Sequence, residues 1–234
     1  MVAITWLGHG SFQLRLASGE VILIDPWFEG NPKHPAGFEL ERCDLILVTH
    51  GHFDHINDVV GTAARFNAPV IANHEIATWL ASKKGVKDAR GMNKGGTRQA
   101  GGVAVTMTHA IHSSSMQDDG GNIIYGGEAG GFVLTFEDGR VAYFAGDTNV
   151  FSDMALIETL YHPELAFLPI GDLYTMGPRE AALACRLLKA KHVIGMHWGT
   201  FPALTGTPRK LAELIHDLPG TEILPMEPGR TLQW

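Results

Sequence analysis

Leu45-Ile46-Leu47-Val48-Thr49-His50-Gly51-His52-Phe53-Asp54-His55 is the stretch on which the fold of this chain turns. Its first four residues form a continuous apolar run of the length of a buried strand. Straight after it, ligand-type residues crowd together as His50, His52, Asp54 and His55. Imidazole with carboxylate suits zinc, manganese, nickel or iron. In an extended segment His50 and His52 point to the same side. The chain must then curl, which turns Asp54 and His55 towards a neighbouring point. One strand-to-helix loop can thus offer two ligands to each of two ions, and rigid scaffolds carry sites on such loops.

Two ions need more ligands than one loop holds, and later strand ends offer them. His112 follows an apolar run at 103–108, Asp147 follows 140–144 within Ala145-Gly146-Asp147-Thr148, and His197 follows 193–195. Each is a ligand type just beyond a strand pattern, so all three could converge on one edge of the sheets. His109 competes with His112, and spacing does not choose between them. Of the twelve histidines, His34, His74, His162, His192 and His216 read as surface, capping or packing residues.

Strand patterns lead the chain at Ala3–Trp6, 11–16 and Val21–Ile24. A strand at 70–72 and a helix over 75–84 follow, the latter with Ile76, Trp79 and Leu80 at i, i+3, i+4. The style then repeats. Strands at 131–136 and 140–144 are joined by Glu137-Asp138-Gly139 as a hairpin, and strands at 165–168, 193–195 and 221–224 alternate with helices at 152–160, Pro178–Leu188 and 208–218. The last two helices open with Pro, whose missing N–H costs nothing in a first turn. Strands followed by alternating strands and helices, twice over, predict an α/β domain with two packed sheets and helices outside. No repeat or linker divides residues 1–234, so one domain is the simplest organisation. The glycine-rich segment 118–131 predicts a mobile loop or hairpin.

Composition narrows the partners. The formal net charge is −7 and the lysines do not cluster beyond Lys83-Lys84, so no nucleic-acid partner is expected. Bound divalent ions would still draw an anionic small molecule. No apolar run approaches the ~20 residues of a membrane span, and the first residues do not read as a signal peptide. Cys43 and Cys185 read as buried free thiols, which suits a reducing, cytoplasmic setting.

The run Thr49 to Asp54-His55 resembles the His-x-His-x-Asp-His motif of the metallo-β-lactamase superfamily. His112, Gly146-Asp147-Thr148 and His197 follow in that family's order. Trp6-Leu7-Gly8-His9, Ile24-Asp25-Pro26, His112-Ser113-Ser114, Thr175-Met176-Gly177-Pro178 and Thr200-Phe201-Pro202 resemble a branch of small metal-dependent hydrolases related to the ascorbate-6-phosphate lactonases.

The resemblance implies a four-layer αββα sandwich with two central mixed sheets and outer helices. It implies a first metal on His50, His52 and His112, a second on Asp54, His55 and His197, and Asp147 between them. His9 would lie beside the metals as a ligand or as a partner of one, and Asp25 would orient a ligand histidine. Two departures stand out: Gly10 where Ser or Ala is more usual, and Trp198 where Tyr is common.

The expected activity is hydrolysis of an ester, lactone or phosphoester of a small molecule by a hydroxide bridging two divalent ions, zinc first among them. Asp54 would be both ligand and proton carrier. Tyr174 and Met176, ahead of the Pro178 helix, are candidates to line the substrate. A homo-oligomer is compatible with all of this. The competing classes are a di-iron redox protein and a non-catalytic metal-binding module.

Overall fold

The computed structural model describes residues 1–234. Its first sheet joins β1 (Ala3–Trp6), β2 (Phe12–Arg15), β3 (Val21–Ile24), β4 (Leu45–Leu47), β5 (Val70–Asn73) and β6 (Ala89–Met92), and β16 (Thr231–Gln233) returns from the C-terminus to pair with β1. β1 to β3 run antiparallel, and β3 to β6 run parallel. The second sheet holds β7 (Thr97–Ala100), β8 (Val103–His109), β11 (Gly130–Phe136), β12 (Val141–Phe144), β13 (Leu165–Pro169), β14 (His192–Met196) and β15 (Glu222–Ile223). Its spatial order is β15-β14-β13-β12-β11-β8-β7, parallel from β12 to β15.

Side-chain alternation explains why the sheets stack. Within β4, Leu45 and Leu47 enter the layer between the sheets, while Ile46 faces the helices on the outer side. Within β3, Ile22 and Ile24 point inward, and Val21 and Leu23 point outward. A strand covered on both faces has no polar side, which is why residues 45–48 read as unbroken apolar sequence. Trp6, Phe12, Phe144 and Phe167 dominate the middle layer, with Phe12 against both Phe144 and Phe167 at 5.8 and 5.0 Å between ring centroids.

The outer layers are helical. α2 (Val59–Phe66) and α3 (His74–Lys84) cover the first sheet; α4 (Met154–Tyr161), α5 (Pro178–Leu188) and α6 (Pro208–Leu214) cover the second. Asn73 starts α3 by accepting from the Ile76 N–H at 2.8 Å, and Thr207 starts α6 by accepting from the Lys210 N–H. These four layers are the αββα sandwich expected from the sequence.

Some expectations shift. The last helix stops at Leu214 rather than 218, because a tight turn with Leu218 N–H on Ile215 O precedes Pro219, which disfavours helix before it. β6, β7 and β16 lie at or next to sheet edges and are half-exposed, so their polar sequences carry no alternation. The glycine-rich segment is a two-stranded hairpin, β9 (Ser115–Gln117) with β10 (Ile123–Tyr125), followed by a link into β11. Cys43 and Cys185 are buried and unpaired, and burial pushes both thiols up to about 12. No helix is long and apolar enough to cross a membrane.

Candidate metal centre

The site forms where strands of both sheets end. β4 runs out into His50 and His52, and the single turn α1 (Phe53–Ile56) then carries Asp54 and His55. β8, β12 and β14 lead into His112, Asp147 and His197. Four segments distant in sequence therefore meet on one edge, outside the strand ends where open α/β sheets place ligands.

Asp147 lies at the middle. Its Oδ2 is 3.1 Å from His197 Nε2, 3.4 Å from His55 Nε2, 3.6 Å from His112 Nε2 and 3.9 Å from His50 Nε2. On one side His50, His52 and His112 gather, with His52 Nδ1 3.0 Å from His50 Nε2 and 3.3 Å from His112 Nε2. On the other side His9, Asp54, His55 and His197 gather.

Hydrogen bonds outside the cluster decide which nitrogen faces in. His55 Nδ1 donates to Asp25 Oδ2 at 2.8 Å, leaving Nε2 turned to Asp147. His50 Nδ1 donates to Thr49 Oγ1 at 3.0 Å, while that hydroxyl donates to Asp25 Oδ2 at 2.6 Å. His52 is reversed: Ser113 Oγ takes Nε2 at 3.3 Å and Nδ1 faces the cluster. Fixing the outer nitrogen in this way sets the tautomer and the lone pair of the inner one.

His9 has both ring nitrogens engaged. Nε2 donates to Asp54 Oδ2 at 2.9 Å, and Nδ1 accepts from Thr200 Oγ1 at 2.9 Å. Burial, followed by the neighbouring His197, pushes His9 down to about 4, so it stays neutral and donates as a neutral group. Burial likewise depresses His50. Burial opposes ionisation of Asp54 and of Asp147, yet the surrounding histidines hold both carboxyls below the usual range. His55 is the opposite case: burial disfavours its cation, but Asp147, Asp25 and Asp54 together raise it well above the ordinary value.

The backbone is bent to achieve this. His9, Asp25 and His197 sit at φ of 57°, 49° and 56°. Non-glycine residues hold such angles at about 1–3 kcal/mol each, chiefly at functional sites. The bends are locked together: His9 O accepts from the His197 N–H at 3.1 Å and from Trp6 Nε1 at 2.9 Å, and Asp25 O accepts from Ser11 Oγ.

The cluster suits a metal on three counts. His55 Nε2 and Asp147 Oδ1 are buried with no hydrogen-bond partner, which is costly unless something else satisfies them. The donors are imidazole and carboxylate with no thiolate, a set for zinc or its first-row neighbours. The nitrogen separations of 3.0 and 3.3 Å approach the edge of a tetrahedron whose corners lie about 2.0–2.1 Å from an ion.

Other expectations sort differently. His109 is exposed, near Lys94 and edge-on to Phe151, and does not join the cluster, whereas His112 does. Met176 is fully buried in the core between the second sheet and its helices, and its N–H donates to Thr148 O. Tyr174 stands 61% exposed on the loop between β13 and α5, whose root abuts His197. Trp198 is structural: Nε1 donates to Gly195 O and the ring packs on Trp6 at 5.6 Å. Thr49, Thr200, Ser113 and Ser114 lie in the quoted motifs, yet only the structure shows what they hold. Ser114 Oγ accepts from the Gly51 N–H and donates to Gly126 O, tying the histidine loop to the hairpin.

Comparison with known proteins adds an independent line. The beta-lactamase superfamily domain matches residues 20–198. A UPF0173 metal-dependent hydrolase of Solibacter usitatus is 62% identical over 99% of this chain and 99% of its own length. Another, from Methanosarcina mazei, is 44% identical over 98% of this chain and 97% of its own. Among solved structures, Igni18, a metallo hydrolase of the archaeon Ignicoccus hospitalis, superposes with a TM-score of 0.84 at 33% identity, covering 99% of this chain and 97% of that one.

Proposed function

The chain belongs to the beta-lactamase superfamily and is a metal-dependent hydrolase; from that premise we propose that it holds two divalent ions across Asp147 and cleaves an ester, lactone or phosphoester of a small molecule. The observation that carries this is Asp147 Oδ2, within 3.1–3.9 Å of four inward-facing histidine nitrogens. His50, His52 and His112 would hold one ion, and Asp54, His55 and His197 the other. The donor set favours zinc, with manganese, nickel and iron as alternatives.

When bound, the ions lower the pKa of coordinated water from ~15.7 to about 7 and polarise the oxygen of the scissile group. The remaining work falls to the protein. Asp54, with its side chain 14% exposed, is the carboxylate placed to relay a proton to a departing oxygen. His9, held neutral, steadies Asp54 Oδ2 through Nε2–H without adding a charge that would compete with the ions. Asp25 and Thr49 keep His50 and His55 aimed inward. A screen of the metal-loaded protein against lactones, phosphodiesters, thioesters and carboxylic esters tests the reading. One class should turn over, and His52→Ala should fall to the background of the chelated wild type; wild-type turnover by His52→Ala would contradict it.

Gly10 supplies a second test. A Cβ there would lie 2.7 Å from His55 Cε1, and His55 cannot retreat because it is fully buried and bonded to Asp25. Gly10→Ala should therefore tilt the ring and weaken the ion it faces by about 10–100-fold, the usual effect of disturbing a ligand's support. Competition with a metal-indicator dye reads this directly; unchanged affinity would show that His55 is not held where the ion needs it.

A further inference from the structure

Beside the metal centre a cleft of about 490 Å³ opens between α1, α2 and α3 on one side and the β9–β10 hairpin on the other. His52 stands at its inner edge, and Phe53, Ile56, Val60, Trp79 and Met116 make its walls mostly apolar. The hairpin sets its direction. It leaves the centre at Ser113 and Ser115, where the Ser115 backbone packs on Gly51, and runs outward to its tip. Four steps of about 3.4 Å separate Ser115 from Asp119, so the tip lies up to ~14 Å from Ser115. There Asp119 meets Lys84, the only Lys or Arg side chain in the lining.

Lys84 is braced against Trp79 and its partner is not buried. The ammonium sits 5.1 Å from the centroid of the Trp79 ring, and the Lys84 side chain is only 25% exposed. Asp119 is 94% exposed at a turn. An ion pair with so exposed a carboxylate contributes little to stability and is readily exchanged. A mostly apolar cleft thus holds both His52 of the cluster and a placed cation in its lining, in a chain whose net charge is −7 and whose local carboxylate is exposed.

We propose that this cleft takes the non-reacting arm of the substrate, an apolar chain ending in a carboxylate that replaces Asp119 on Lys84. The substrate class is then a carboxylate-tailed ester, lactone or phosphoester, with the cleaved group at the metals and the tail at Lys84. This rests on the hydrolytic reading of the metal centre, so the test reads binding rather than turnover.

Titration calorimetry on the metal-loaded full chain would compare linear monocarboxylates with α,ω-dicarboxylates, from butanoate and butanedioate up to dodecanoate and dodecanedioate. One dicarboxylate length should bind about tenfold tighter than its monocarboxylate, the scale of one added charge-assisted hydrogen bond. In Lys84→Met the two Kd values should converge. In Asp119→Ala, which removes the competing anion, the dicarboxylate should tighten several-fold. No preference at any length, a preference that survives Lys84→Met, or an unchanged dicarboxylate Kd in Asp119→Ala would each overturn the proposal. The Asp119 variant alters only an exposed turn, so it carries the test even if Lys84→Met fails to fold. A Lys84-dependent preference in a protein that hydrolyses none of the four ester classes would retain the cleft and sink the hydrolytic reading. Hydrolysis without that preference would do the reverse.

Discussion

Asp147→Ala is expected to empty both metal positions and abolish turnover in a single change. Its Oδ2 lies against nitrogens of both groups, His197 and His55 at 3.1 and 3.4 Å and His112 and His50 at 3.6 and 3.9 Å. Disturbing even the support of a metal ligand costs about 10–100-fold in metal affinity, and removing a carboxylate that faces both groups should cost at least that at each. Elemental analysis should give about two ions per wild-type chain and close to none in Asp147→Ala. His52→Ala, which touches one group, should retain about one. A full complement of metal in Asp147→Ala would remove the carboxylate from the role given to it.

The second large effect concerns stability. Chelation should lower the melting temperature by at least about 8 °C. A ligand at 1,000 times its Kd stabilises by about 4.1 kcal/mol, and each kcal/mol shifts Tm by about 2–4 °C in a chain of this size. The physical source is the crowding of Asp147, His50, His55 and His197, all nearly inaccessible to solvent, with buried polar atoms such as His55 Nε2 and Asp147 Oδ1 left without a hydrogen bond. Calorimetry with and without chelator, followed by readdition of zinc, measures it. An unchanged Tm would mean that the cluster is satisfied without ions.

The histidine loop was legible because ligand density needs no tertiary information. Residues 45–48 likewise announced a strand buried on both faces, since β4 sends Leu45 and Leu47 to one layer and Ile46 to another. What remained hidden depended on where elements stop and what lies opposite them. His109 and His112 look equivalent in sequence; β8 extends to His109 and pairs it with Gly130, and the chain reaches Asp147 only after leaving the strand. Met176 lies in a loop that reads as exposed, but the structure packs it in the core. Gly10 showed itself only as a departure from the usual residue; the structure puts the His55 ring where a Cβ would go. Trp79 read as one position of a helix stripe. Its place in a cleft depends on a hairpin that arrives from more than thirty residues later.

The central claim is that two ions share Asp147. Anomalous diffraction from crystals of the zinc-loaded protein, collected at the metal edge, tests it most directly. Two peaks are predicted on opposite sides of the Asp147 carboxylate, one against His50, His52 and His112 and one against Asp54, His55 and His197. A single peak, or peaks away from Asp147, would contradict the account.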